Sequence, residues 1–244
     1  MFKKTFLVLL AVSVVFLFSS GVMAETYVVG TSAGFPPFEY IEDGEIVGFD
    51  IDLMEAIAES QGFEIEWTDI SFDSLIPGLN AGTIDIVAAG MTITDERAQV
   101  VDFTDPYFSA NQALLVREDS GMNVTVLFGD HNLAVQTGTT GDLWVEENLQ
   151  DPGILTGRVT HFDTFVLAVQ DLIAERVEGV VLDTPVARRY AADNPVEMVA
   201  ELVTGEEYGL AVASGNTELL EKLNAGLQEV KDSSVMDELL EKHF

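Results

Sequence analysis

Ala88-Ala89-Gly90-Met91-Thr92-Ile93-Thr94-Asp95-Glu96-Arg97 follows the short apolar run Ile84-Asp85-Ile86-Val87, which reads as a buried strand. A strand that ends in small residues leaves backbone N–H groups open, so Gly90 and Thr92, with Met91 between them, can lie against a ligand. Arg97 opens a short polar helix, from which its planar guanidinium can reach back with a fork suited to a carboxylate. Together these residues form a receptacle for a small anion, whether carboxylate, phosphate or sulfate. The plainer alternative is a surface arginine at a helix start, and arginine is scarce here, six among 244 residues.

Outward from this stretch, strands alternate with helices. Residues 26–30 read as a strand, and the loop 31–37 holds Phe35 between Gly34 and Pro36-Pro37. A hairpin turns at Glu42-Asp43-Gly44-Glu45, and Asp50 is expected to cap a helix over 51–60 with Gly62 just past its end. A strand over 63–67 and a helix over 72–80, capped by Ser71 and stopped by Gly82, lead into 84–87. This alternation predicts an α/β fold with a mostly parallel sheet covered on both faces, whose ligands sit beyond the carboxyl ends of the strands. The opening stretch lies at such an end. Regular structure is expected to break over 100–107 and then restart, with strands at 113–116, 132–135, 158–160 and 179–182. Between these strands come the turn 136–141, a helix ending at 149 and a helix capped by Asp163. Asp183-Thr184-Pro185 opens a further helix with proline in its first turn. This second α/β series is followed by strands over 198–203 and 208–213 and helices over 217–231 and 235–243.

The chain begins as an export leader: Lys3 and Lys4, an apolar run of 13 residues over 6–18, then Val22-Met23-Ala24 before Glu25. That run is shorter than the roughly 17–25 residues a membrane span needs. The chain has no cysteine to carry a lipid anchor or form a disulfide, so a monomer of residues 25–244, held by its apolar cores, is expected outside the cytoplasmic membrane. The formal charge of −31, or −33 without the two leader lysines, excludes nucleic acid as a partner and disfavours anionic lipid. It reads as an acidic coat of the halophilic kind, suited to screening by high salt. His131, His161 and His243 show no metal spacing and read as surface residues, and no lysine follows the Gly138-Thr139 turn to hold a nucleotide. No cofactor or metal is expected.

The ordered set Phe35-Pro36-Pro37-Phe38-Glu39, Gly48-Phe49-Asp50-Ile51-Asp52-Leu53, Leu75-Ile76-Pro77-Gly78-Leu79, the 90–97 stretch, Asp102-Phe103-Thr104-Asp105-Pro106-Tyr107, Gly138-Thr139-Thr140 and Asp183-Thr184-Pro185 resembles the polar amino-acid-binding family of extracellular solute-binding proteins, family 3. These are the receptors of ABC importers. The resemblance implies a type II two-lobe fold, with residues 25–109 plus 207–244 in one lobe and 110–206 in the other, closing over one free amino acid bound for a membrane permease. Carried over by position, Arg97 takes the α-carboxylate, helped by the Gly90 and Thr92 amides and by Thr140 at a helix start. Asp183 of the opposite lobe takes the α-ammonium, although that position is also a helix N-cap. Phe35 and Phe72 sandwich the ligand side chain, Met91 and Thr139 adjoin it, and Ser32 and Gln136 stand where selectivity is set.

Ser32 occupies a position where relatives that prefer cationic ligands tend to carry an acid. Gln136 and Leu182 offer no charge and no second cation is matched to the site, so by elimination an uncharged ligand, glutamine first, is expected. A rival of another class is a periplasmic dehydratase of prephenate or arogenate on the same fold, whose acid would be Glu206 or Glu207. A third, the sensing domain of a membrane receptor, needs a following membrane segment, and the chain stops at Phe244.

Overall fold

β1 (Thr26–Thr31) enters the first sheet directly after residue 25; the computed structural model describes residues 25–244, and the expected leader lies outside them. The hairpin of β2 (Tyr40–Glu42) and β3 (Glu45–Val47) turns through Asp43 and Gly44, both at positive φ. It leads to α1 (Phe49–Gln61), which buries Phe49, Ile51, Leu53, Met54 and Ile57. Gly62, at φ 71°, ends the helix in the left-handed conformation, as expected.

Asp50 is not the cap of that helix. α1 starts two residues earlier, after Gly48, and the Asp50 carboxylate accepts from the Gly90 amide at 2.8 Å and the Tyr107 hydroxyl at 2.6 Å. β4 (Glu64–Asp69) follows, then a 3₁₀ turn (Phe72–Ser74) and α2 (Leu75–Ala81). Ser71 spends its hydroxyl on Ser74 at 2.8 Å and caps neither. Next come β5 (Ile86–Val87), shorter than the apolar run predicted, β6 (Val101–Phe103) within the segment expected to be irregular, and β7 (Phe108–Arg117).

The second half contains β8 (Leu133–Gln136), α3 (Thr140–Val145), β9 (Val159–Phe162), α4 (Phe165–Ile173), β10 (Gly179–Asp183) and α5 (Thr184–Asp193). A π-helical turn (Glu146–Gln150) extends α3, and Thr164, not Asp163, caps α4 by accepting from the Leu167 amide at 3.4 Å. β11 (Val196–Tyr208), β12 (Ala211–Ala213), α6 (Thr217–Asp232) and α7 (Val235–His243) close the chain. No helix among the described residues is long and apolar enough to cross a membrane.

Two five-stranded sheets result, ordered β4-β1-β5-β12-β6 and β11-β7-β10-β8-β9. In the first, β1 pairs in parallel with β4 and β5; in the second, β8 pairs in parallel with β9 and β10. The remaining pairs are antiparallel, because strands carry the chain out of one lobe and back into it. Parallel pairing is therefore half of each sheet instead of the greater part.

β7 and β11 form the crossing ribbon, with Tyr208 opposite Phe108 and Val196 opposite Arg117. The sequence suggests a gap between two strands at 204–207. Instead β11 is continuous and a register shift between Leu202 and Glu206 loops residues out, with Val203 88% exposed. Asn111 Oδ1 accepts from the Thr204 and Gly205 amides at 3.1 and 2.9 Å, pinning the bulge. One apolar cluster runs from Phe35, Phe38 and Phe49 through Tyr208 to Phe165 and so spans both lobes. Separate clusters fill the outer layer of each lobe.

Candidate functional site

The carboxyl ends of β1, β5, β8 and β10 converge between the lobes on a narrow cleft. Its wall holds Ser32, Phe35, Phe72, Gly90, Thr92, Arg97, Gln136, Thr139, Thr140 and Asp183, joined by Glu39 and Ala89. Met91 is absent from it: its side chain is 1% exposed and packs with Phe72, Leu75 and Leu79 in the core of the first lobe. Alternation along the 88–92 segment turns Met91 away from its neighbours.

Arg97 starts a 3₁₀ turn (Arg97–Gln99) and is buried. Its Nη1 donates to Thr92 O at 2.8 Å, and Nη2 reaches across to Gly138 O at 3.0 Å. Two of five guanidinium N–H groups are thus used and three remain. The guanidinium carbon lies 5.2 Å from the centre of the Phe72 ring, a cation–π distance. Burial lowers the Arg97 pKa, and the negative charges of Glu206, Asp183 and Glu96 act against that.

Gly90 serves by shape. Its amide is committed to Asp50, its φ is 52°, and a β-carbon there would stand 2.4 Å from Phe35 Cε1. The expectation that this amide faces a ligand is therefore corrected. Thr92 forms an isolated bridge with Tyr208, bonded through Ile93 N to Glu207 O and Gly209 N to Met91 O, which leaves the Thr92 amide outside the ladder. Phe35 stacks on Phe38 at 5.5 Å and on Phe165 of the other lobe at 5.8 Å. Phe35 and Phe72 thus hold the wall with different partners.

Asp183 occupies the cap position of α5 but makes no capping bond. Its Oδ1 accepts from the Tyr208 hydroxyl at 2.6 Å, and burial, then the charge of Glu206, raises its pKa to about 7. Glu39 is fully buried, and neither carboxyl oxygen has a partner among the described residues. Its pKa is pushed well up by burial and by the charges of Asp50, Asp183 and Asp69. From the sequence Glu39 stood only as a residue able to alter the balance of ligand choice, since among 42 acidic residues nothing local marks the one that tertiary packing strips of water.

The Gln136 side-chain amide donates to Ser32 Oγ at 3.4 Å across the gap and to Asp163 O at 2.9 Å. Thr139 caps α3, accepting from Asp142 N at 3.2 Å. The Thr140 hydroxyl donates to Glu206 Oε2 at 2.6 Å. Glu206 takes further bonds from Thr92, Gln112 and Thr204, which occupies both oxygens and removes it as a free proton donor, while Glu207 is exposed. The described residues contain no cluster of His, Cys, Asp and Glu able to hold a metal. His243 is not a surface residue: its ring is 7% exposed and meets Asp52 Oδ2 at 2.5 Å.

The wall therefore sets one buried cation against two buried acids, Asp183 and Glu39. Known proteins resemble this chain over most of its length. A probable histidine-binding protein of Neisseria gonorrhoeae is 35% identical over 226 residues, 90% of this chain and 83% of its own length. An ancestral arginine-binding protein bound to arginine matches with TM-score 0.84 at 45% identity, covering 91% of this chain and 99% of that one. An ancestral amino-acid-binding protein, a precursor of cyclohexadienyl dehydratase, matches with TM-score 0.82 at 37% identity, covering 90% and 95%. Across residues 27–244 the sequence fits the model of the bacterial extracellular solute-binding proteins, family 3, and the chain belongs to that family.

Proposed function

We propose that this protein captures a free cationic L-amino acid, arginine first, between its lobes and delivers it to the membrane permease of an ABC importer. The family binds solutes for transport and is not one of enzymes. The lobes meet at the ribbon, with residues 25–109 plus 207–244 on one side and 110–206 on the other. Arg97 offers its three remaining N–H donors to the α-carboxylate, beside the Thr92 amide, and Asp183 takes the α-ammonium. Leaving either ligand charge buried and unpaired costs several kcal/mol, so a zwitterion suits this pair. Phe35 and Phe72 flank the side chain, and Ser32, Gln136 and Thr139 border it. Residues 1–24 direct export, and the mature chain works as a monomer outside the cytoplasmic membrane.

Glu39 carries the choice of ligand class. Once a zwitterion has satisfied Arg97 and Asp183, a buried carboxyl without a partner remains on the wall. A guanidinium or ammonium at the ligand's far end supplies the missing partner. The expectation of glutamine rested on finding no charge beside the side chain, and Glu39 provides one. Relatives described as histidine- and arginine-binding support the same class.

Calorimetric titration with arginine, lysine, histidine and glutamine tests this. Arginine should bind at micromolar Kd or tighter, about −8 kcal/mol or better. Glu39→Gln should cost arginine about 10- to 100-fold and leave glutamine nearly unchanged. Glutamine binding tighter than arginine in the unaltered protein overturns the assignment.

A further inference from the structure

We propose that Glu206 is the latch of the closed receptor, a positioning residue that ties both lobes to the crossing ribbon through one carboxylate oxygen. Glu206 Oε2 accepts from Thr92 Oγ1 of the first lobe at 2.8 Å and from Thr140 Oγ1 of the second at 2.6 Å. The other oxygen is fixed by the ribbon itself: Oε1 accepts from Gln112 Nε2 at 3.0 Å and Thr204 Oγ1 at 2.9 Å. The pinned bulge before Glu206 and its pairing opposite Ala110 hold its backbone at the crossing.

The side chain is buried, 8% exposed, and no lysine, arginine or histidine forms an ion pair with it among the described residues. Hydroxyl and amide donors hold its charge, and bonds to an ionised acceptor in a dry site are stronger than neutral ones. Thr92 and Thr140 lie on different lobes and reach the same atom, so both bonds form only when the lobes meet. Opening must give up at least one of them. Glu206 thereby stabilises closure without touching the ligand, and Arg97 and Asp183 are brought to their facing positions through it.

This latch rests on the reading of the site as one that closes over an amino acid, but not on which amino acid that is. The chain has no native cysteine, so Glu59→Cys and Glu147→Cys, exposed on opposite lobes, give unique sites for a pair of spin labels. With saturating ligand, unaltered Glu206 should give one short, narrow interlobe distance. Glu206→Gln, which keeps the shape and removes the charge, should broaden and shift that distribution and weaken ligand binding about 10- to 100-fold, through faster dissociation. Thr92→Val should shift it in the same direction, and the two changes together should add little beyond either alone. If Glu206→Gln does not fold, Thr92→Val and Thr140→Val carry the test. Unchanged distances in these variants, with or without a loss of affinity, overturn the latch. If the unaltered protein prefers a neutral amino acid, the ligand assignment falls, and the same distances measured with that ligand still decide the latch.

Discussion

Asp183 stands where helix α5 would take a cap, yet its carboxylate goes to Tyr208, and the cost of holding it there can be read out by pH. Burial and the neighbouring Glu206 raise its pKa from the ordinary carboxylate range to about 7, and burial lifts Asp50 to about 6. A group whose folded pKa lies above its unfolded value binds a proton more tightly when folded. Its contribution is present in full at low pH and is lost as pH rises through the folded pKa. Without ligand, these two groups should therefore favour a higher Tm at pH 5 than at pH 8, and Asp183→Asn should shrink the difference. Ligand affinity should run the other way, because the α-ammonium needs an ionised Asp183. Calorimetry should show affinity falling by up to about tenfold per pH unit below pH 7, with proton release on binding. Arg97→Ala removes the partner of the α-carboxylate and should weaken binding by about a hundredfold or more. Arg97→Lys should not restore it, since an ammonium cannot fork. An Arg97→Ala protein that binds as tightly as the unaltered one would place the site elsewhere.

Among the elements, the entry to α1 shows what a single backbone position decides. Gly48 sits at φ 139°, and a β-carbon there would lie 2.1 Å from Phe38 O. Gly48→Ala should therefore destabilise the fold by about 1–3 kcal/mol or more, read as a lower midpoint in urea unfolding. The same entry shows what sequence reading can reach. The helix and its Gly62 stop follow from local periodicity and a left-handed end. Asp50 looked like a cap because nothing nearby reveals that it bonds to Gly90 and Tyr107, 40 and 57 positions away. The site divides in the same way. Ten wall residues follow from the 88–97 stretch and from positions carried over by the family resemblance, whereas the unpartnered burial of Glu39 and the joining of Thr92, Thr140 and Glu206 depend on packing and on contacts across the lobe gap. The 204–207 segment looked like a break because its residues are polar and include glycine, and a pinned bulge within β11 has the same composition.

Across the whole molecule, 42 acidic side chains face 11 lysines and arginines. The described ion pairs, such as Arg189 with Asp193 at 2.9 Å and Lys222 with Glu25 at 3.0 Å, engage only a few of the acids. Most of the coat therefore repels itself, and the Debye length falls from about 10 Å in 0.1 M salt to about 3 Å in 1 M. Stability should rise with salt: the Tm in 2 M sodium chloride should exceed that in 0.05 M, and equal values would mean that the repulsion is too weak to matter. The same field acts on an arriving ligand in the opposite sense. A potential of this sign draws a cation toward the cleft at low ionic strength and fades as the coat is screened. Stopped-flow association of arginine should thus slow as salt rises, while glutamine, a zwitterion without net charge, should associate at a nearly constant rate. Parallel salt dependences for the two would show that the acidic coat serves stability alone and leaves capture to the walls of the cleft.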